Sequence, residues 1–268
     1  MIMNKHILYL FSLMGLLSLV ACTNEENPLL SNETGEVSFA VSEEEPVQIE
    51  TRASFDVNDF TVNLKRGSEP IFSNRKYSDI AGTSITCSAG SGYLFTAESC
   101  TESEAESANS KWGKARATGE TSFEVVANQN NDIKVKCKQI NTSVQVGFSD
   151  FIKKLCTEYA ITFYAADDEE RQFTIDQNNY SYKTAYFNVN ESRALNYKVT
   201  LMYSGEEHVF TNNYTLLPSS NYQLNIKLSD ESISVVSIGI SVNGELVDDV
   251  KMDPVIINPY EDTNTFLE

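Results

Sequence analysis

Asn221-Tyr222-Gln223-Leu224-Asn225-Ile226-Lys227-Leu228 alternates polar and apolar residues without a break. Successive side chains of an extended chain point to opposite faces. Tyr222, Leu224, Ile226 and Leu228 therefore share one face, and three amides and a lysine share the other. That pattern marks a β-strand with one side buried. The fold follows from how often it returns. Downstream, Val236, Ile238, Ile240 and Val242 lead into Asn243-Gly244, a pair that favours a two-residue type I′ hairpin. Upstream, Tyr197, Val199, Leu201 and Tyr203 run to a turn at Ser204-Gly205-Glu206. Tyr159, Ile161 and Phe163 precede an acidic turn at Asp167 to Glu170, and Phe173 with Ile175, then Phe187 with Val189, mark shorter strands.

Farther back, Val144, Val146 and Phe148 alternate before one short helix, capped by Ser149 or Asp150 and running through Leu155. Ile133, Val135 and Cys137 alternate with Lys134, Lys136 and Lys138, so one face is apolar and the other basic; Asn128 to Asp132 turns the chain before it, after a strand at Phe123 and Val125. Phe60, Val62 and Leu64 form a strand, as do Val37, Phe39 and Val41. Ile85-Thr86-Cys87 and Tyr93-Leu94-Phe95 flank Ala89-Gly90-Ser91-Gly92, which reads as a hairpin turn. Glu98 to Ser110, rich in Ser and Glu, reads as a solvated loop. Period two dominates and period 3.6 is nearly absent, so the expected class is all-β, with two tandem antiparallel β-sandwich domains. The expected divisions are a leader over 1–21, a tether over 22–35, sandwiches over 36–138 and 139–248, and a tail over 249–268 that carries Val255-Ile256-Ile257. No strict internal repeat is visible in the sequence.

Lys5, the apolar run Ile7 to Val20, and Ala21 before Cys22 follow the order of a secretory signal peptide; the run is too short to span a bilayer. Leu19-Val20-Ala21-Cys22 resembles the lipobox of bacterial lipoproteins, which implies a lipid on Cys22 and a membrane anchor. Thr23-Asn24-Glu25-Glu26 behind it resembles the signal that sends Bacteroidetes lipoproteins to the cell surface. The chain has 38 acidic against 20 basic residues, a net charge of −18, which argues against nucleic acid as a partner. Cys87, Cys100, Cys137 and Cys156 allow three disulfide pairings, and a buried free thiol is an equal reading for Cys137.

Gly35-Glu36-Val37-Ser38-Phe39, Glu50-Thr51-Arg52-Ala53, Ala89-Gly90-Ser91-Gly92-Tyr93, Gly119 to Val125 and Val135 to Val144 occur in the order seen in a family of Bacteroidales lipoproteins, that of domain of unknown function 4493. The chain resembles that family, and more distantly the fimbrillin-like pilus subunits. The resemblance implies Greek-key, transthyretin-like sandwiches. It also implies cleavage by an Arg-specific protease at Arg52, after which the first strand leaves and a neighbouring subunit's strand replaces it. The Val255-Ile256-Ile257 tail is one source of an incoming strand. The competing readings are a plain linker arginine and a tail that packs on its own domain or is disordered.

Catalytic signals are sparse. His6 lies in the leader, which leaves His208 beside a turn, and neither a G-x-S-x-G elbow nor a Gly-rich phosphate loop is present. Acid pairs such as Asp167-Asp168 and Asp248-Asp249 read as turn and surface residues, and no cofactor or metal is expected. Trp112, the single tryptophan, is either a contact for a ligand or partner or a lid on the first sandwich. The expected function is a non-enzymatic, lipid-anchored outer-membrane surface protein with a structural or adhesive role, and the resemblance implies a fimbria-like subunit or an anchor for one; its partners would be pilus-like subunits or host and polysaccharide ligands. The alternative is a glycan-binding accessory lipoprotein using Trp112.

Overall fold

The computed structural model describes residues 33–44, 55–179, 183–229 and 232–257. Cys22 and Arg52 lie outside them. Seven strands build the first unit: β1 (Thr34–Glu43), β2 (Thr61–Arg66), β3 (Glu69–Lys76), β4 (Ser84–Ser88), β5 (Gly90–Glu98), β6 (Ala117–Val125) and β7 (Asn130–Gln139). They run in the order β3-β2-β5-β6-β7-β1-β4. Between β6 and β7 the pairing is Ala117 with Gln139 and Thr118 with Lys138. At that corner the run turns over, so that β7-β1-β4 packs on β3-β2-β5-β6. Val37, Phe39, Val62, Leu64, Phe95 and Val135 meet inside. Burial of these alternating faces is the main favourable term.

The second unit has nine strands: β8 (Thr142–Phe148), β9 (Glu158–Ala165), β10 (Phe173–Asp176), β11 (Ala185–Phe187), β12 (Arg193–Tyr203), β13 (Glu206–Leu216), β14 (Asn221–Ser229), β15 (Ser232–Val242) and β16 (Glu245–Ile256). They form one sheet β10-β9-β12-β13 and another β11-β8-β14-β15-β16. Phe163, Phe173, Phe187, Leu195, Leu224 and Ile238 fill the space between them. In β14, Tyr222, Leu224 and Ile226 are buried and Gln223 is exposed, as their alternation requires. The molecule is thus all-β, two sandwiches in tandem.

Adding seven to each strand number of the first sandwich reproduces the order of the second: β3-β2-β5-β6 becomes β10-β9-β12-β13, and β4-β1-β7 becomes β11-β8-β14. The one parallel pairing recurs too, β1 with β7 and β8 with β14. A short helix follows the first strand of each unit, Val57–Asp59 in the first and α2 (Asp150–Leu155), capped by Ser149, in the second. The repeat is one of topology, and the sequence hides it because strands conserve burial, not identity. The β15–β16 hairpin has no counterpart in the first sandwich. Its turn holds Asn243 at φ 52° and Gly244 at φ 89°, both positive as a type I′ turn demands.

Three local expectations are corrected. Ala89 to Gly92 makes no hairpin: β4 pairs with β1, whereas β5 pairs with β2 and β6. The link carries the chain from one sheet to the other. Gly90 allows this at φ 122°, where a Cβ would lie 2.6 Å from the Arg66 guanidinium. That guanidinium donates to the Ala89 and Ser91 carbonyls. Glu98 to Ser110 is not a solvated loop, because it holds helix α1 (Glu102–Ser107) and buries Ala105. A capping box sets α1: Thr101 Oγ1 accepts from the Glu104 backbone N–H, and the Glu104 carboxylate accepts from the Thr101 N–H. Finally, Asp249 to Ile256 is no tail. It completes β16, with Val235 opposite Ile256, and Ile257 is fully buried in the second core.

Candidate functional site

The first strand carries the resemblance, and its slot can be built residue by residue. β1 sits between β7, which it pairs in parallel from Glu36 to Glu43, and β4, which it pairs antiparallel from Thr34 to Ser38. Its backbone is therefore engaged on both edges up to Ser38 and on the β7 edge from Phe39 to Glu43. Val37, Phe39 and Val41 point inward, at 0%, 5% and 7% exposure. The Phe39 ring stacks on Phe95 at 4.2 Å and meets Phe72 and Phe123 edge-on. Tyr77 donates its hydroxyl to the Phe39 carbonyl at 3.2 Å.

Polar contacts fix the register. The Asn131 amide donates to the Glu36 carbonyl at 3.0 Å. Thr86 donates to the Glu36 carboxylate at 2.7 Å, and Ser38 donates to Asp132. At the two ends, Ala89 N–H donates to the Glu33 carbonyl and Glu44 N–H to the Cys137 carbonyl, each at 2.8 Å. Along the chain β1 is joined forward through the segment that includes Arg52 to β2, on the opposite sheet. Among the described residues no hairpin partner follows it. Emptied, the slot would present two strand edges and an apolar floor of Phe72, Phe95 and Phe123.

A second polar assembly lies where the sandwiches meet. The Glu106 carboxylate on α1 accepts from Arg193 Nη1 at 2.6 Å and from the Asn188 backbone N–H at 2.7 Å. Arg171 Nη1 stands 3.4 Å from the same oxygen. Arg171 is 6% exposed; its Nε donates to the Lys111 carbonyl and its Nη2 to that of Tyr186. Its guanidinium also lies over the rings of Phe173 and Phe187, 5.0 Å from each centroid. Burial weakens the hold of Arg171 on its proton, and the Glu106 charge works the other way. Arg171 follows the acidic turn directly, and nothing in the sequence set it apart, because its partner comes from the other sandwich.

Trp112 belongs to this junction. It is half-buried on the core of the second sandwich, its ring 4.8 Å from Phe173 with Lys183 Nζ 5.2 Å from its centroid. The lid reading thus named the wrong sandwich: the loop after α1 reaches across to the second. Its carbonyl accepts from the Tyr186 N–H at 2.9 Å. Cys87, Cys100, Cys137 and Cys156 are free and buried, and burial pushes the Cys137 and Cys156 thiols up to about 11. His208 is half-buried on β13, opposite Leu201. Among the described residues no group of three or more His, Cys, Asp or Glu is placed to hold a metal ion. No helix among them is long and apolar enough to cross a membrane.

No curated protein matches the sequence. Among solved structures, a candidate cell adhesion protein from Bacteroides uniformis aligns at 11% identity and TM-score 0.42, over 79% of this chain and 97% of that one. The fimbrial anchor protein Mfa2 from Porphyromonas gingivalis aligns at 12% identity and TM-score 0.35, over 81% and 99%. The family model of domain of unknown function 4493 (DUF4493) matches residues 33–258, the whole of both sandwiches, and the chain belongs to that family.

Proposed function

We propose that this chain is a surface protein of the outer membrane, anchored by lipid on Cys22, with a structural or adhesive role and no catalytic activity. In this reading β1 is a resident strand that a neighbouring subunit's strand replaces after cleavage at Arg52. The observation that carries it is the placement of β1: paired on both edges and apolar on its inner face, yet tied to the rest of the sandwich through one linker. Cutting that linker leaves β1 held by non-covalent contacts alone. A strand of like alternation then meets the same edges, with affinity from backbone bonds and register from side chains.

The other end of the molecule bears on which partner it would be. β16 is paired to β15 through Ile256, and Ile257 is buried in the second core, so the end of the described chain is engaged by its own sandwich. The chain is thereby suited to receive a strand, as an anchoring or terminal subunit does, more than to donate one. N-terminal sequencing of protein purified from the cell surface tests the reading. It predicts a population starting at Ala53 that runs as detergent-resistant ladders. A chain that starts only at Cys22 and runs as a monomer overturns it.

A further inference from the structure

The outer face of the β9–β12–β13 sheet is a groove of about 660 Å³, within the range of small-ligand sites. Residues directly opposite on neighbouring strands point to the same side. Asn196 stands opposite Tyr164 on one flank and Asn213 on the other; Lys198 stands opposite Thr162 and Thr211 in the next row. Between them on the same strands, Phe163 and Tyr197 turn inward and are buried, as is Val199 just beyond Lys198. So two rows of three side chains lie side by side on a rigid sheet, one with two amides and a phenol, the other with two hydroxyls and an ammonium.

Three features limit what such a face can hold. First, no carboxylate lines it, in a chain with 38 Asp and Glu residues. Second, the side-chain amides of Asn196 and Asn213 and the hydroxyl of Thr211 have no protein hydrogen-bond partner among the described residues, so their donors and acceptors are open to a ligand. Third, these two rows carry no exposed aliphatic side chain; the one exposed valine on this side, Val209, stands opposite Thr200 in the next row, at their border. A protein partner would need an apolar centre, and here the single valine lies at the border of the two polar rows. A polyanion would find one lysine set against a net charge of −18. A neutral sugar fits: its hydroxyls pair with amides, and its C–H face lies on the half-buried Tyr164 ring.

We propose that this face is a binding site for a neutral oligosaccharide or polysaccharide. It gives the adhesive role above a ligand class and does not depend on strand exchange. The test is affinity gel electrophoresis of the uncut, detergent-solubilised full chain in gels containing laminarin, yeast mannan, galactomannan or xylan, with polygalacturonate as the charged control. At least one neutral polysaccharide should retard the chain. Tyr164→Ala should weaken that retention about tenfold, the loss of a contact worth about 1.4 kcal/mol. The exposed Asn213→Asp, which keeps the side-chain shape and cannot open the core, should also weaken it, while Trp112→Phe leaves it unchanged. The proposal is overturned by no retention in any neutral gel, by retention in polygalacturonate alone, or by retention that Tyr164→Ala and Asn213→Asp leave intact. It is also overturned if Asn213→Asp breaks a dimer, which would make the face a self-association surface. Because the chain is uncut, these outcomes are separate from any failure of cleavage at Arg52.

Discussion

Cys137 and Cys156 are packed so that the neutral thiol is favoured over the thiolate, and each titrates at about 11 in the fold against an ordinary value of 9.0. The consequence has a definite sign. Below pH 9 folded and unfolded chains both keep the protons, and the contribution of each thiol is fully present. Between about pH 9 and 11 the unfolded chain releases them first, so stability falls as pH rises through that window. Urea titrations should show the midpoint dropping across it, and the Cys137→Ala, Cys156→Ala double variant should drop less. An equal drop would place the titration in other groups. The inward position of Cys137 was legible from its alternation with Lys136 and Lys138, whereas the pairing of the four cysteines was not, since an even count fits bonded and free thiols alike. Arg171 was illegible for a related reason. Burial of a charge depends on the partner that the fold delivers, and here Glu106 arrives from the other sandwich.

At the level of elements, α1 is the clasp. The capping box fixes its first turn, and Glu106 then reaches Arg171, Arg193 and the Asn188 backbone together. Removing that carboxylate leaves a buried guanidinium short of its counter-charge, a more damaging change than losing both partners. Glu106→Ala should cost about 2 kcal/mol, allowing for the partial exposure of the carboxylate. It should also split a single unfolding transition into two, measured by calorimetry. One unchanged transition would show that the sandwiches couple elsewhere. Strands such as β14, β12 and the β15–β16 hairpin could be read from period two and turn residues, because one buried face dictates both. Which strand pairs with which could not. Ala89-Gly90-Ser91-Gly92 has hairpin composition, yet it serves a crossing between sheets, and glycine permits either path. α1 was missed because six residues of Ser, Glu and Ala show no apolar stripe; Thr101 and Glu104 were the signal that could have found it.

Across the whole molecule, one seven-strand plan is used twice, and the two copies differ in what closes them. In the second, the β15–β16 hairpin covers the free side of β14. In the first, β7 touches β6 through two residue pairs at a corner, and β1 is the strand that completes the sheet between β7 and β4. Val37, Phe39 and Val41 contribute roughly 6 kcal/mol of burial between them, so β1 should hold firmly and leave slowly even when the linker behind it is cut. The two-sandwich plan was open to the sequence through spacing alone, while its duplication needed the strand order. The most direct measurement of the central claim starts from chain nicked at Arg52 by an Arg-specific protease. It is incubated in sub-denaturing urea with a fluorescent peptide of residues 33–44, and bound peptide is read by size exclusion. One peptide per chain should be taken up as the native first strand departs, with a Phe39→Ala peptide taken up far less. Nicked chain that keeps its own strand and excludes the peptide under every condition short of unfolding would contradict that claim.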